Sequence, residues 1–187
     1  YLRTVVMKEF EEMKRMEKKG QKPMICDYHA IQYLYINTLL GKNPFYDSDY
    51  VELKNYLLKY LEADRHRDIY SKALMAVVLN GDGKAKKAKE YVESIRQYTV
   101  TKPGMGTYFD TWHAGYSWFD YRIPTQTAAI EALKAVDPAD TETINQMRLW
   151  LLQSKRTQAW DTPINTVNAV YAFLDGNYKK LSSDKEE

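Results

Sequence analysis

The chain has 187 residues, 44% of them apolar and 28% charged, which is ordinary for a soluble globular protein and enough to bury a sizeable core. Its 27 basic and 25 acidic residues leave a formal charge of +2 and are interspersed rather than striped, which excludes the electrostatic footprint of a nucleic-acid binder. No apolar run reaches membrane-spanning length, and one cysteine, Cys26, excludes an internal disulfide.

The sequence drops straight into a helical pattern at Tyr1-Leu2-Arg3 with no leader pattern, the expectation for a boundary inside a longer protein. Leu2, Val5, Val6, Phe10, Met13 and Met16 keep one apolar stripe opposite Lys and Glu, predicting a first helix that closes near Gly20. A second helix runs from about Asp27 to Leu40, where Gly41 and Asn43-Pro44 break it. In a third, Leu53, Tyr56, Leu57, Tyr60 and Leu61 follow helical spacing, with Asp49 and Glu52 placed as a capping pair. Tyr70, Ala73, Leu74, Val77 and Val78 repeat that spacing in a fourth, stopped by Gly81-Asp82-Gly83. The fifth carries its stripe on Ala88, Tyr91, Val92 and Ile95, and its lysines at 84, 86, 87 and 89 read as a solvated face.

The helical period then fails. Residues Thr99 to Ile123 hold three glycines and dense aromatics, predicting a long loop with one or two short strands. A sixth helix is expected from Thr125 to Val136. A seventh begins with Asp137 as cap, Pro138 at the first helical position and Asp140 in the first turn, and buries Ile144, Met147 and Leu151. The eighth follows Trp160-Asp161-Thr162-Pro163, in which Thr162 occupies the cap position and Pro163 the place where a missing N–H costs nothing. Trp160 reads as a packing anchor for that turn. Residues 177–187 are a polar tail or linker after a helical domain spanning 1–176.

Four helices share a small-large signature: Ala30-Ile31, Ala73-Leu74-x-Ala76-Val77, Ala129-Ile130-x-Ala132-Leu133 and Ala169-Val170-x-Ala172-Phe173. Alanine lets one helix approach another closely while the bulky neighbour fills the gap. Recurrence at two helices per unit predicts an all-α protein of stacked hairpins, either an open repeat or a closed α/α-toroid. Trp118, Asp120, Pro124 and Thr127 parallel Trp160, Asp161, Pro163 and Thr166, so the tryptophan turns read as repeated architecture.

Candidate chemistry is sparse. Cys26 and His29 share a helical face, but a zinc site needs two more ligands, and neither His66 nor His113 offers paired spacing; the expectation is a buried thiol beside a hydrogen-bonded histidine, with no metal or cofactor. The aromatic loop is the site-like segment. Asp110, Asp120 and Asp161 are candidate acids, with Trp112, His113, Tyr116 and Trp118 as candidate binding residues, because sugar-processing enzymes combine stacked rings with paired carboxyls.

The run Trp150 to Leu174, preceded by Gly115 to Leu133, resembles the thioester-domain region of bacterial alpha-2-macroglobulins, most nearly the large Bacteroidetes-type forms. Trp150, Lys155, Thr157, Gln158, Trp160, Thr162, Thr166, Ala169 and Ala172 carry the phrase that closes the repeats of their α/α-toroid. The resemblance covers about the last 75 residues and implies a structural, non-enzymatic domain of a protease trap that is periplasmic or else cell-envelope-anchored or extracellular. Its implied partners are neighbouring macroglobulin-type β-sandwich domains and the trapped protease. The thioester motif of that family, Cys-x-Glu-Gln, is absent: Cys26 is followed by Asp27-Tyr28-His29. Eight helices against the twelve or so of a six-hairpin toroid imply a partial domain or a smaller ring. The alternative is a carbohydrate-active toroid using Asp110, Asp120 or Asp161. Terpenoid cyclases and protein prenyltransferases share the architecture, but neither their aspartate-rich motif nor their zinc set is visible.

Overall fold

A computed structural model describes residues 1–41, 48–63, 67–111, 114, 122–157 and 163–174. Among them are eight helices and a two-stranded antiparallel hairpin. The chain divides into two units, Tyr1–Arg67 and Asp68–Glu187.

In the first unit, α1 (Leu2–Lys18) buries Val6, Phe10 and Met13, the inward part of its predicted stripe. Gly20 then takes a φ of 70° just past its end. Helix α2 (Asp27–Leu40) keeps its predicted limits and packs Ala30, Ile31, Tyr33 and Leu34 inward. Helix α3 (Ser48–Ala63) contributes Leu53, Leu57, Leu58 and Leu61, each at most 1% exposed. Phe10 meets Tyr56 edge-on at 5.1 Å between centroids, and Tyr33 meets Tyr50 at 6.1 Å. Asp49 is the second residue of α3, so the helix begins one residue ahead of the expected capping pair. Glu52 pairs with Lys14 of α1. Arg67, whose side chain is 4% exposed, donates through Nη2 to Asp27 at 3.0 Å, so the buried guanidinium has a charge partner.

The second unit begins with α4 (Ile69–Gly81). Asp68 caps it, accepting from the Ser71 backbone N–H at 2.9 Å and from the Ser71 hydroxyl at 2.8 Å. Residues Ala73 to Leu79 are all buried. Each large apolar side chain among them contributes about 1.5–3 kcal/mol by leaving water. Helix α5 (Ala85–Arg96) lays Ala88, Val92 and Ile95 against α4. Strands β1 (Thr99–Lys102) and β2 (Gly106–Phe109) pair antiparallel, Thr99 opposite Phe109 and Lys102 opposite Gly106. Pro103 and Gly104 form the corner, closed by the Met105 N–H donating to the Lys102 carbonyl at 3.1 Å; the φ of 75° at Gly104 is what a type II turn demands.

Helix α6 (Arg122–Val136) starts three residues before its predicted beginning, with Pro124 inside the first turn, where a missing N–H is tolerated. It touches α4, α5, β2, α7 (Thr141–Thr157) and α8 (Pro163–Leu174). Helix α4 packs on α6 and α6 on α8, while α5 touches α4 and α6, and α7 touches α6 and α8. The Asn80 side-chain amide donates to the Ala135 carbonyl at 2.9 Å, bringing the C-terminal turns of α4 and α6 together.

The start of α7 differs from expectation. Asp137 accepts the Asp140 N–H through its carbonyl at 3.1 Å, forming a turn, and Asp140 is the residue whose carboxylate accepts the Thr143 N–H at 3.2 Å. The cap is therefore Asp140, and Pro138 lies in the turn before the helix. Both aspartates also face Arg96 at the end of α5, at 2.8 and 2.7 Å. Ile144, Met147 and Leu151 are buried as the spacing predicts. Pro163 is the first residue of α8, also as expected; Thr162 lies outside the described residues.

Candidate functional site

The segment expected to be a loop with short strands is held by polar groups as much as by rings. Gln126, 1% exposed on α6, donates its amide to the Thr107 carbonyl of β2 at 2.8 Å and to the Met147 carbonyl of α7 at 3.2 Å. Thr125 donates its hydroxyl to the Ala114 carbonyl at 3.0 Å. Gly106 seats β2 directly on the α7 backbone: its φ is 87°, and a Cβ there would stand 2.2 Å from the Gln146 carbonyl oxygen. Tyr108 stacks on Trp150 with centroids 5.8 Å apart and rings 11° from parallel.

This docking leaves a cleft of about 600 Å³ between the hairpin, the start of α6 and α7. Tyr108, Asp110, Arg122, Trp150, Gln153 and Ser154 are among its walls. Gln153 donates to the Gly104 carbonyl at 3.1 Å, tying α7 to the hairpin corner. Asp110 is exposed and lies 3.9 Å from the Lys102 ammonium. That ammonium sits 5.5 Å from the Tyr108 ring centre, and its pKa is held above the usual lysine value, first by the Tyr108 hydroxyl and then, against slight desolvation, by Asp110.

Of the expected candidates, Asp110 and the motif residue Trp150 line this one cleft. Asp120, Asp161, Trp112, His113, Tyr116, Trp118, Gln158, Trp160 and Thr162 lie outside the described residues. Lys155 is exposed near the end of α7, which Thr157 closes, and Thr166 is exposed on α8. Ala169 and Ala172 are buried on α8, which packs on α6. Among the described residues of the cleft wall, Asp110 is the sole carboxylate and there is neither histidine nor cysteine. A glycosidic bond is cleaved between two carboxyl groups roughly 5 to 10 Å apart, of which the described residues of these walls supply one.

Cys26 departs from expectation. Its thiol is exposed, because the residue precedes the first turn of α2 and stands outside the packed face. His29 is hydrogen-bonded as expected, its Nδ1 lying 3.1 Å from a Glu9 carboxylate oxygen. No three His, Cys, Asp or Glu side chains among the described residues converge as metal ligands, and no described helix is long and apolar enough to cross a membrane.

Another inter-helix polar contact lies away from the cleft. Lys72 of α4 donates to the Ser94 hydroxyl of α5 at 3.0 Å, with its ammonium 5.3 Å from the Tyr98 ring centre. Burial pulls the Lys72 pKa down while Asp68 works against it. Sequence patterning did not single out Gln126, Arg122, Tyr108 or Lys72; the legible signal was the Pro103-Gly104 corner, which marks a hairpin in an aromatic segment. No protein-family model, curated protein or solved structure matches the chain.

Proposed function

We propose that the chain is a non-enzymatic structural domain, a helical-hairpin repeat of α/α-toroid type, from a bacterial alpha-2-macroglobulin-like protease trap. The observation that carries this reading is the alternation of contacts in the second unit: α4 on α6 on α8, with α5 and α7 each laid against two of these. Stacked hairpins produce that pattern, because each hairpin's first helix meets the first helix of the next. The buried alanines Ala73, Ala76, Ala129, Ala132, Ala169 and Ala172 lie on those three helices, which is where close approach is needed. Within the macroglobulin-like phrase, Ala169 and Ala172 are buried on α8 and Trp150 stacks on Tyr108, which fits packing roles.

On this reading the domain works by docking against neighbouring β-sandwich domains and shifting with them after a protease cut elsewhere, outside the cytoplasm. The test is hydrogen exchange on the complete polypeptide before and after proteolytic cutting. Altered exchange in 99–109 or 163–174 is expected; identical exchange in both states would overturn the reading. The carbohydrate-active alternative rests on the cleft that holds Asp110 and Trp150. It predicts polysaccharide turnover that Asp110→Asn abolishes, whereas the scaffold reading predicts no turnover by either form.

A further inference from the structure

Helix α8 has the composition of a helix covered on two sides, yet five of its large apolar residues are exposed. Ile164, Val167, Val170, Tyr171 and Leu174 are between 42% and 69% exposed. Ile164, Val167, Tyr171 and Leu174 fall at i, i+3, i+7 and i+10. That alternation of three and four is the a/d spacing of a coiled-coil seam, the stripe by which one helix interlocks with another. The alanines that meet α6 lie at other positions, so the seam is a second face of α8 rather than the margin of the first.

We propose that this seam is the contact by which two copies of the chain pair, α8 against α8 across a two-fold axis. Area favours this occupant. The four seam side chains, with Val170 flanking them, present on the order of 500 Å² per copy at these exposures, so pairing that covers them all removes on the order of 1,000 Å² in total, the lower limit for a specific interface. A self-complementary stripe is also what a two-fold contact requires, since each side chain meets the same surface on the other copy. The only charge on α8 would be one that a substitution introduced, because Pro163 to Leu174 contains no Asp, Glu, Lys or Arg. Pairing therefore meets no like-charge repulsion from the helix itself.

The test is molar mass by light scattering or sedimentation at about 100 μM chain. The wild-type chain is expected at twice its 21.9 kDa mass, and Val167→Lys at the single mass with unchanged helical circular dichroism. Val167 is mostly solvated in one copy, so the substitution spares the core. Should that variant lose helicity, Ile164→Lys on the same seam supplies the same comparison. Mixing Val167→Lys with Val167→Glu is expected to restore the double mass, as only a self-paired helix would permit. A wild-type chain that stays at single mass overturns the proposal, including the case in which another helix of a longer polypeptide covers the seam. A dimer indifferent to both lysine variants also overturns it, because pairing would then use another face.

Discussion

Replacing Gly106 by alanine tests how β2 is seated on α7. Two costs combine at this position. The φ of 87° lies where a side chain is strained whatever the surrounding space, a cost of about 1 kcal/mol or slightly more. The added Cβ would also stand 2.2 Å from the Gln146 carbonyl oxygen and 3.0 Å from the Trp150 backbone nitrogen. Both are main-chain atoms of α7 and cannot rotate away. Helix and hairpin must separate by roughly 1 Å, which loosens the Tyr108–Trp150 stack and the Gln126 bonds, and overpacking of this kind costs about 1–3 kcal/mol. The sum is about 3 kcal/mol, a substantial part of a typical domain's stability. Gly104→Ala is the control, because Gly104 has a similar φ of 75° with nothing within 4 Å of its Cβ position. It should lose about 1 kcal/mol. Urea unfolding followed by tryptophan fluorescence measures both. If Gly106→Ala is within about 0.5 kcal/mol of Gly104→Ala, close backbone contact between β2 and α7 is refuted.

Gln126→Met should cost about 2 kcal/mol in the same assay, because the Thr107 and Met147 carbonyls lose their donor while the site stays dry. Asp68→Ala removes the α4 cap and should cost about 1 kcal/mol; no change would place the helix start elsewhere. Burial alone would raise the Asp140 pKa, but the Thr143 hydroxyl and N–H and the Arg96 guanidinium together hold it below the ordinary carboxylate range. A carboxylate depressed in the folded state adds stability above about pH 4 that disappears as pH falls through its lower folded value. The urea-midpoint gap between wild type and Asp140→Asn should therefore narrow from about pH 6 to about pH 3, and a constant gap would contradict the assignment. Cys26 should react with a thiol reagent in the native chain at one equivalent, with no further thiol after methylamine; a rise after methylamine would mean that the sulfur had been acylated.

The helices were legible where an apolar stripe ran into a glycine. Helices α1, α2, α4 and α5 end as the Gly20, Gly41 and Gly81-Asp82-Gly83 stops indicate, or at the loss of period after Ile95. Helix starts were less legible, because several residues can cap. Asp137-Pro138 has the form of a start, yet Asp140 takes the capping bond, since Arg96 draws both carboxylates into one turn. The misplaced start of α6 has a similar origin: Pro124 reads as a boundary but is tolerated within a first turn. Cys26 was expected inside because cysteine is commonly buried, but it precedes the helix whose inner face would have covered it. At the cleft, Asp110 could be picked from residue type, whereas Trp150 entered only through the family phrase. Gln126 could not, because a polar residue on a helix reads as solvated until two carbonyls from other elements are placed beside it.

Helix α6 touches four other helices and β2. For the amides of Ala128 to Leu133, no single neighbour can peel away and admit solvent while the others remain. Deuterium should reach them last in the second unit, at a rate set by loss of the whole assembly rather than by fraying, whereas β1 and α5 can open at smaller cost. Such a helix is also where a destabilising inherited change would be felt throughout the unit at once.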